Sequence, residues 1–574
     1  MYEDLAPVAP AAVLARFQPH AGTIPSFLAA RAAVQPDKPA LRIEQREWTY
    51  RELDAAGRLL AHALAGRGIS RGSRIALIAL NSDLSVVLFL AAARLGAVFI
   101  PLNPAASRAD LEYLLRHSRA ELIVAQAAEI ERVREVAGEA APGRPLVSLA
   151  EWGAEARSAR EVVERLRELA GDAPVSAGGA AARGTTAVRG APAAGDAASS
   201  EASVQPDDAV VVIYTSGTTG FPKGVVHTHR TYILAAEGFV SRMRLQPDER
   251  LLTVMPFFHI NALFYSLGGA IACGGTLITT PRFSASRFWR LAAESGATEF
   301  NFLAAVGNIL INRPRAELDP SHRIVKIYGG PISERMAQVF REEFHVPALI
   351  EGYGMSEIPG ACCNPFLGPH KSGSIGVPAV HPLHPGAFSE LRVVDDAGRD
   401  LPPGEVGELV VRTPMMFKEY LDDPAQTAAA FRDGWFLTGD LVRRDADGYF
   451  YFVARKKDII RRRGENIAGA ELDRVVGDHP RVLEAAAVGV PSELGEEEIL
   501  VVVVPRPGER LAPRDIVDWC SARLAPMKVP RYVLIADSLP HTPSHRVAKH
   551  ILKADPSLAA RAFDAGRAQD GGRA

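Results

Sequence analysis

Short apolar runs alternate with stretches of helical spacing along most of the chain. "WTYRELDAAGRLLAHALAGRGI" opens with strand-type residues and passes into an apolar helical face at Leu53, Leu59, Leu60 and Leu64. "RIALIALNS" follows as a strand. "VVLFLAAARLGAVFIPLNP" (Val86 to Pro104), interrupted by Arg94 and Gly96, then predicts a buried helix, a turn and a further strand. The alternation returns at "AELIVAQ", "AVVVIYTSG", "RLLTVMP", "GTLITT", "IVKIYGG" and "PALIEGYG". Strands of this kind, separated by helices, predict an α/β protein whose parallel sheets are covered by helices on both faces. Such sheets place ligand loops beyond the carboxyl ends of their strands, and several of these runs end in Gly, Ser, Thr or Pro.

The pattern breaks twice. From about 171 to 208 the chain turns to Ala, Gly, Ser, Thr and Pro without periodicity, which predicts a flexible surface insertion. Between Leu391 and Phe452 the pieces become shorter and strand-rich, as in "ELRVVDDAG", "GELVVRTP" and "GYFYFVARKKD". A new unit follows "RKKD": a helix near Ala470–Asp478, the strands "VLEAAAVGV" and "EEILVVVVP", and a helix near Arg514–Leu524. The expected division is a large N-terminal domain over 1–457 and a small α+β domain over 458–574.

At 574 residues the chain exceeds one ordinary core, in keeping with two domains. Its 47% hydrophobic and 23% charged content is that of a water-soluble globular protein. A formal net charge of −2 gives no field towards nucleic acid or an anionic membrane. The four cysteines form no CxxC pair, so neither a disulfide framework nor a zinc site is expected. "MYEDLAPVAP" carries acidic residues where a secretory signal would be basic, and the Val86–Pro104 stretch is too broken to span a bilayer. A reducing cytoplasm is the expected location.

The most informative chemistry is "YTSGTTGFPKG", Tyr214 to Gly224, placed directly after the apolar run Val210–Ile213. Small residues let backbone amides approach a ligand closely, and successive N–H groups make an anion-binding concavity. Thr215, Ser216, Thr218 and Thr219 add hydroxyls, Gly217 and Gly220 add freedom, and Lys223 adds positive charge. Together they suit a polyphosphate, although the spacing is not the Walker pattern. A plain Ser/Thr-rich surface turn is the alternative.

Taken whole, "YTSGTTGFPKGV" resembles the phosphate-binding signature of the adenylate-forming enzymes: acyl-CoA synthetases, the adenylation domains of peptide synthetases and firefly luciferase. The resemblance runs from "WTYRELD" to "HTPSHRVAK", and "MPFFHINALFYS…FSASRFW" is most similar to the crotonobetaine/carnitine-CoA ligase group. It implies ATP, Mg2+ and coenzyme A as cosubstrates and cofactor, and a small carboxylic acid as the molecule activated. It also implies a distorted β-barrel within the large domain and a small C-terminal domain that is mobile, and it leaves room for a homodimer. Further motifs then acquire implied roles. Gly329, Gly330 and Pro331 would pack against adenine. In "EGYGMSE", running Glu351, Gly352, Tyr353, Gly354, Met355, Ser356, Glu357, Tyr353 offers a flat face to adenine and Ser356 a hydroxyl to phosphate. Glu357 offers a hard oxygen ligand to Mg2+. Asp440 in "GWFLTGDL" and Arg455 in "ARKKD" would reach the ribose, with Lys457 as hinge. The run Arg461–Arg463 is either a CoA phosphate contact or a solvated face.

One motif departs from the family. Where it reads Pro-x-Thr-x-Ser-Gly-Lys, this chain has "PHTPSHRVAK", with Arg546 at the lysine position and Lys549 nearby. Arg546 is the expected adenylation-step cation, though a planar fork is not interchangeable with an ammonium. His259 in "FFHIN" is either the family's gate between acyl pocket and nucleotide or a packed core histidine. Ile260 stands where amino-acid-activating relatives hold aspartate, which argues against an α-amino acid. The function expected is an AMP-forming acyl-CoA synthetase. The alternatives are a loader of a carrier protein and a non-catalytic nucleotide-binding relative.

Overall fold

The computed structural model describes residues 3–171, 204–215, 222–384, 386–462, 465–492, 496–541 and 547–566. Most of the expected insertion, 172–203, lies outside them. Its last residues are packed: Val204 is buried, and Asp208 pairs with Arg71 while Asp207 pairs with Arg230. Those charge pairs and one apolar anchor end the insertion earlier than composition alone indicates.

The described residues divide into two compact units, one of those up to 390 with 412–429 and one of 391–411 with those from 430 onward. The second begins at Leu391, where the sequence changes texture.

The first unit holds two sheets. One runs, in spatial order, through Val377–Pro378, Ile358–Cys363, Ala348–Met355, Lys326–Gly329, Glu299–Asn301, Arg250–Thr253, Thr276–Thr279, Pro39–Ile43 and Arg46–Thr49. The six strands from Ala348–Met355 to Pro39–Ile43 are parallel, and the edges are antiparallel hairpins. The other runs Glu419–Tyr420, Lys223–Thr228, Ala209–Thr215, Val98–Leu102, Arg74–Ile78, Leu122–Ala125 and Leu146–Ser148, the last five mutually parallel and the first two added by antiparallel pairing at one edge.

Helices packed on these sheets share one hydrophobic cluster with both. Helix Asp83–Leu95 is buried on every side, as its continuous apolar run requires. Its charges are paired rather than excluded. Arg94 meets Asp54, while Asp83 accepts from Trp48 Nε1 at 2.9 Å and pairs with Arg46 at 3.0 Å. A Ser82 N-cap and Gly96 in the left-handed region bound this helix.

The second unit holds a curled five-stranded antiparallel sheet built on Trp435–Arg444, and a four-stranded sheet of Val482–Pro491, Glu497–Pro505, Tyr532–Ile535 and Phe563–Asp564. Helices Gly469–Gly477 and Pro513–Ser521 pack their apolar faces into the core of the latter. This is the α/β plus small α+β architecture expected. Among the described residues, no helix is long and apolar enough to cross a membrane.

A candidate nucleotide and acyl site

Strand Ala209–Thr215 is buried from Val210 to Ile213, which accounts for its unbroken apolar run. It pairs antiparallel with Lys223–Thr228, and Thr215 stands opposite Lys223. That pairing brings Lys223, eight residues on, back beside Thr215. Ser216, Gly217, Thr218, Thr219 and Gly220 lie outside the described residues. Both flanks are held by helix Arg108–Ser118. His117 Nδ1 lies 2.8 Å from the Tyr214 hydroxyl, and the Tyr113 hydroxyl donates to the Pro222 carbonyl at 3.1 Å. Burial lowers the His117 pKa and raises that of Tyr214, so the phenol donates to a neutral ring. Tyr113 and His117 are one helical turn apart, a spacing that puts them side by side. Neither was flagged by sequence, and the aromatic pair at that spacing was the only local signal.

"EGYGMSE" crosses the hairpin between Ala348–Met355 and Ile358–Cys363. Glycine is required at position 352, where a Cβ would come within 2.3 Å of the Tyr328 hydroxyl. The Ser356 carbonyl accepts from His227 Nε2 at 2.7 Å. Complete burial holds the His227 pKa down at about 4, so the ring is neutral with its proton on Nε2. Nδ1 then accepts from Thr231 Oγ1 at 3.2 Å. Glu357 is buried, and its Oε1 accepts from the Tyr420 hydroxyl at 2.8 Å. Lys223 Nζ lies 4.9 Å from the centre of the same Tyr420 ring. Tyr420 thus touches two expected site residues distant from it in sequence, and sequence reading missed it.

Glu351 lies under the turn Gly329–Gly330–Pro331, where burial lifts its carboxyl to about 7 and the Ile332 N–H bonds to it. Tyr353 is half-buried and stands opposite Cys362. Glu357 was the expected Mg2+ ligand. Among the described residues no group of three or more His, Cys, Asp or Glu could hold a metal alone. One carboxylate plus nucleotide oxygens and water is the donor set Mg2+ takes, so the residues present fit that ion.

His259 follows strand Arg250–Thr253 in the turn "MPFFHI". It is half-buried, its ring 4.5 Å from Phe258, which sets it apart from a packed core histidine. The turn is clamped by Asn81, whose amide donates to the Met255 carbonyl and whose Oδ1 accepts from the Phe257 N–H, each at 2.9 Å. Asn81, in "ALNS", was another residue that sequence did not single out. Asn261–Leu267 then runs as a π-helix, a conformation frequent at functional sites. Ile260 is buried.

In the second unit, Asp440 stands opposite Arg455 on neighbouring strands, with Nε 3.0 Å from Oδ1. A 3₁₀ turn at Lys456–Asp458 follows, and Lys553 Nζ donates to the Lys457 carbonyl at 3.0 Å. Arg546 lies outside the described residues. Lys549 is paired with the half-buried Asp473 at 2.6 Å, which ties it to helix Gly469–Gly477. Arg462 is buried too, bonded to Glu498 and to the carbonyls of Met527 and Val529. Of the basic run, Arg462 therefore serves the domain's interior.

Comparison with known proteins identifies the family. Residues 28–421 match the model of the family described as AMP-binding enzyme, and residues 471–546 match the AMP-binding enzyme C-terminal domain. The chain is 32% identical over 512 residues to a long-chain-fatty-acid–CoA ligase, FadD13, of Mycobacterium tuberculosis, covering 88% of this chain and 92% of the relative. It is 30% identical over 514 residues to the crotonobetaine/carnitine–CoA ligase of Shigella flexneri, covering 88% and 93%. The crystal structure of ATP-bound MatB from Rhodopseudomonas palustris superposes with a TM-score of 0.76 at 25% identity, covering 92% of this chain and 98% of that one. The chain belongs to the AMP-binding enzyme family.

Proposed function

We propose that the protein is an ATP-dependent, AMP-forming acyl-CoA synthetase acting on a small carboxylic acid in the cytoplasm. The observation that carries the reading is that Lys223, paired with Thr215, lies 4.9 Å from the ring of Tyr420, whose hydroxyl bonds Glu357. The loop amides and hydroxyls over Thr215–Gly220 bind the triphosphate, and Lys223 offsets its charge. Tyr353 and Gly329–Pro331 flank the adenine, and Asp440 and Arg455 take the ribose hydroxyls. Glu357 would hold Mg2+, which would supply charge neutralisation on the phosphates.

A carboxylate oxygen of the acid forms a bond to the α-phosphorus as the bond to the bridging oxygen breaks, releasing pyrophosphate. The thiolate of CoA then attacks the acyl carbon, and AMP departs with its electron pair. The protein's contribution is to hold the reacting atoms in line and exclude water while charge moves. His259 gates the acyl side, Arg546 attends the first half-reaction, and residues 458–574 turn about Lys457 between the two.

The test is a broad acid panel with ATP, Mg2+ and CoA, reading AMP release and thioester mass. At least one acid yields stoichiometric AMP and acyl-CoA if the reading is right. AMP without thioester directs attention to a carrier-protein acceptor, and no acid-dependent AMP defeats the reading.

A further inference from the structure

Arg242, next to last in helix His229–Met243, is 3% exposed. Its Nη1 donates to the Gly360 carbonyl at 3.1 Å, while Nε and Nη2 have no hydrogen-bond partner among the described residues. Three aromatic rings surround the guanidinium, with centres at 5.1 Å (Tyr265), 5.5 Å (Phe239) and 5.9 Å (Tyr328). Room for it is made at Gly360, where φ is +63° and a Cβ would fall 2.4 Å from Nη1.

Among the described residues, the neighbourhood supplies no matching anion. Glu237, earlier on the same helix, is already held by Gln18, His20 and His381. The Cys362 and Cys363 thiols are pushed up by burial, the latter to about 11, and stay neutral. Glu351 is engaged by the Ile332 N–H. A guanidinium stays protonated in proteins, and burying one without a counter-charge is costly. Ring faces offset part of that cost but leave two donors unused.

The location gives those donors a purpose. Tyr265 lies on the π-helix that follows His259, and its hydroxyl bonds the Gly360 N–H. Tyr328 directly precedes the Gly329–Pro331 turn, and Gly360 lies three residues beyond Glu357. The three segments assigned to acyl gate, adenine turn and metal ligand converge on this one cation.

We propose that Arg242 is the specificity determinant of the acyl pocket, and that the acid substrate carries a second anionic group, carboxylate or sulfonate, which pairs with its free Nε–Nη2 edge. The inference rests on the ligase reading above and narrows its substrate class. A planar two-donor edge matches such a group bidentately.

The test compares acids of equal chain length that differ only at the far end: alkanoic, α,ω-dicarboxylic and ω-sulfo acids, with kcat/KM read by AMP release from the full chain. The dianionic acids are favoured by about tenfold or more, Arg242→Met reverses the ratio, and Arg242→Lys keeps part of it. The ratio within one preparation cancels any loss of folded protein. If Arg242→Met yields no folded enzyme, the wild-type ratio together with that of Arg242→Lys decides. A wild type that prefers uncharged tails, or a ratio indifferent to substitution, overturns the inference while leaving the ligase reading intact. No AMP release from any acid overturns both.

Discussion

The Tyr420 hydroxyl donates to Glu357 Oε1 at 2.8 Å, and it does so from a two-residue strand paired to the lysine-bearing strand, Tyr420 opposite Val225. One phenol therefore orients the candidate metal ligand while its ring faces Lys223. Removing a partner that orients a metal ligand costs about tenfold to a hundredfold in metal affinity or activity. Tyr420→Phe is expected to raise the Mg2+ concentration for half-maximal activity by such a factor, with the KM for the acid little changed. A Mg2+ titration at saturating ATP checks this, and an unmoved midpoint removes Tyr420 from the account.

Asn81 fastens the turn that carries His259 with two bonds to backbone and a third to Thr279 Oγ1 at 3.1 Å. Asn81→Ala leaves buried backbone groups unsatisfied and is expected to cost about 2–3 kcal/mol of stability. In the folded fraction it raises the KM for the acid while leaving that for ATP near its original value. Urea unfolding and paired KM measurements separate the two effects.

Glu351 gives a pH signature. Its carboxyl sits at about 7 instead of the ordinary 4.5, so the folded state prefers the protonated form. That contribution is fully present below about pH 4.5 and is lost as pH rises through about 7, a total of about 3 kcal/mol. Glu351→Gln keeps the neutral form at every pH. Its stability relative to wild type should grow between about pH 5 and about pH 8. A difference that stays constant over that range contradicts the assignment of the buried carboxyl.

Lys549 and Arg546 separate by function. Lys549 is tied to Asp473 inside the small domain, so Lys549→Ala is expected to lower the domain's stability without favouring either half-reaction. Arg546→Ala is expected to slow acyl-adenylate formation far more than thioester formation from preformed adenylate. Single-turnover measurement of each half-reaction distinguishes them, and equal losses in both for Arg546→Ala would place its charge elsewhere.

What sequence reading reached and what it missed divide along a physical line. The Val210–Ile213 run announced a buried strand because burial on both faces demands apolar residues throughout. The Val86–Pro104 stretch likewise announced a buried helix, and Arg94 within it proved to be paired with Asp54. Strand Lys223–Thr228 was not foreseen, because "KGVVHT" reads as the tail of a glycine loop until its partner strand is in view. Glu299–Asn301 was missed for its brevity. Asn81, His227 and Tyr420 were missed for a different reason. Each acts by holding a residue distant in sequence, and no local spacing records such a contact. Signature motifs show where the chemistry is, and the side chains that aim it emerge only from the packing.

The central claim is that the hairpin loop closed by Thr215 and Lys223 grips the triphosphate so that an acid can capture the adenylyl group. Acid-dependent ATP–pyrophosphate exchange without CoA reads that step alone. The account predicts exchange in the wild type and a loss of about a hundredfold to a thousandfold in Lys223→Ala, the size expected for one charged donor at a developing negative charge. Exchange that is absent with every acid, or undiminished in the variant, contradicts it.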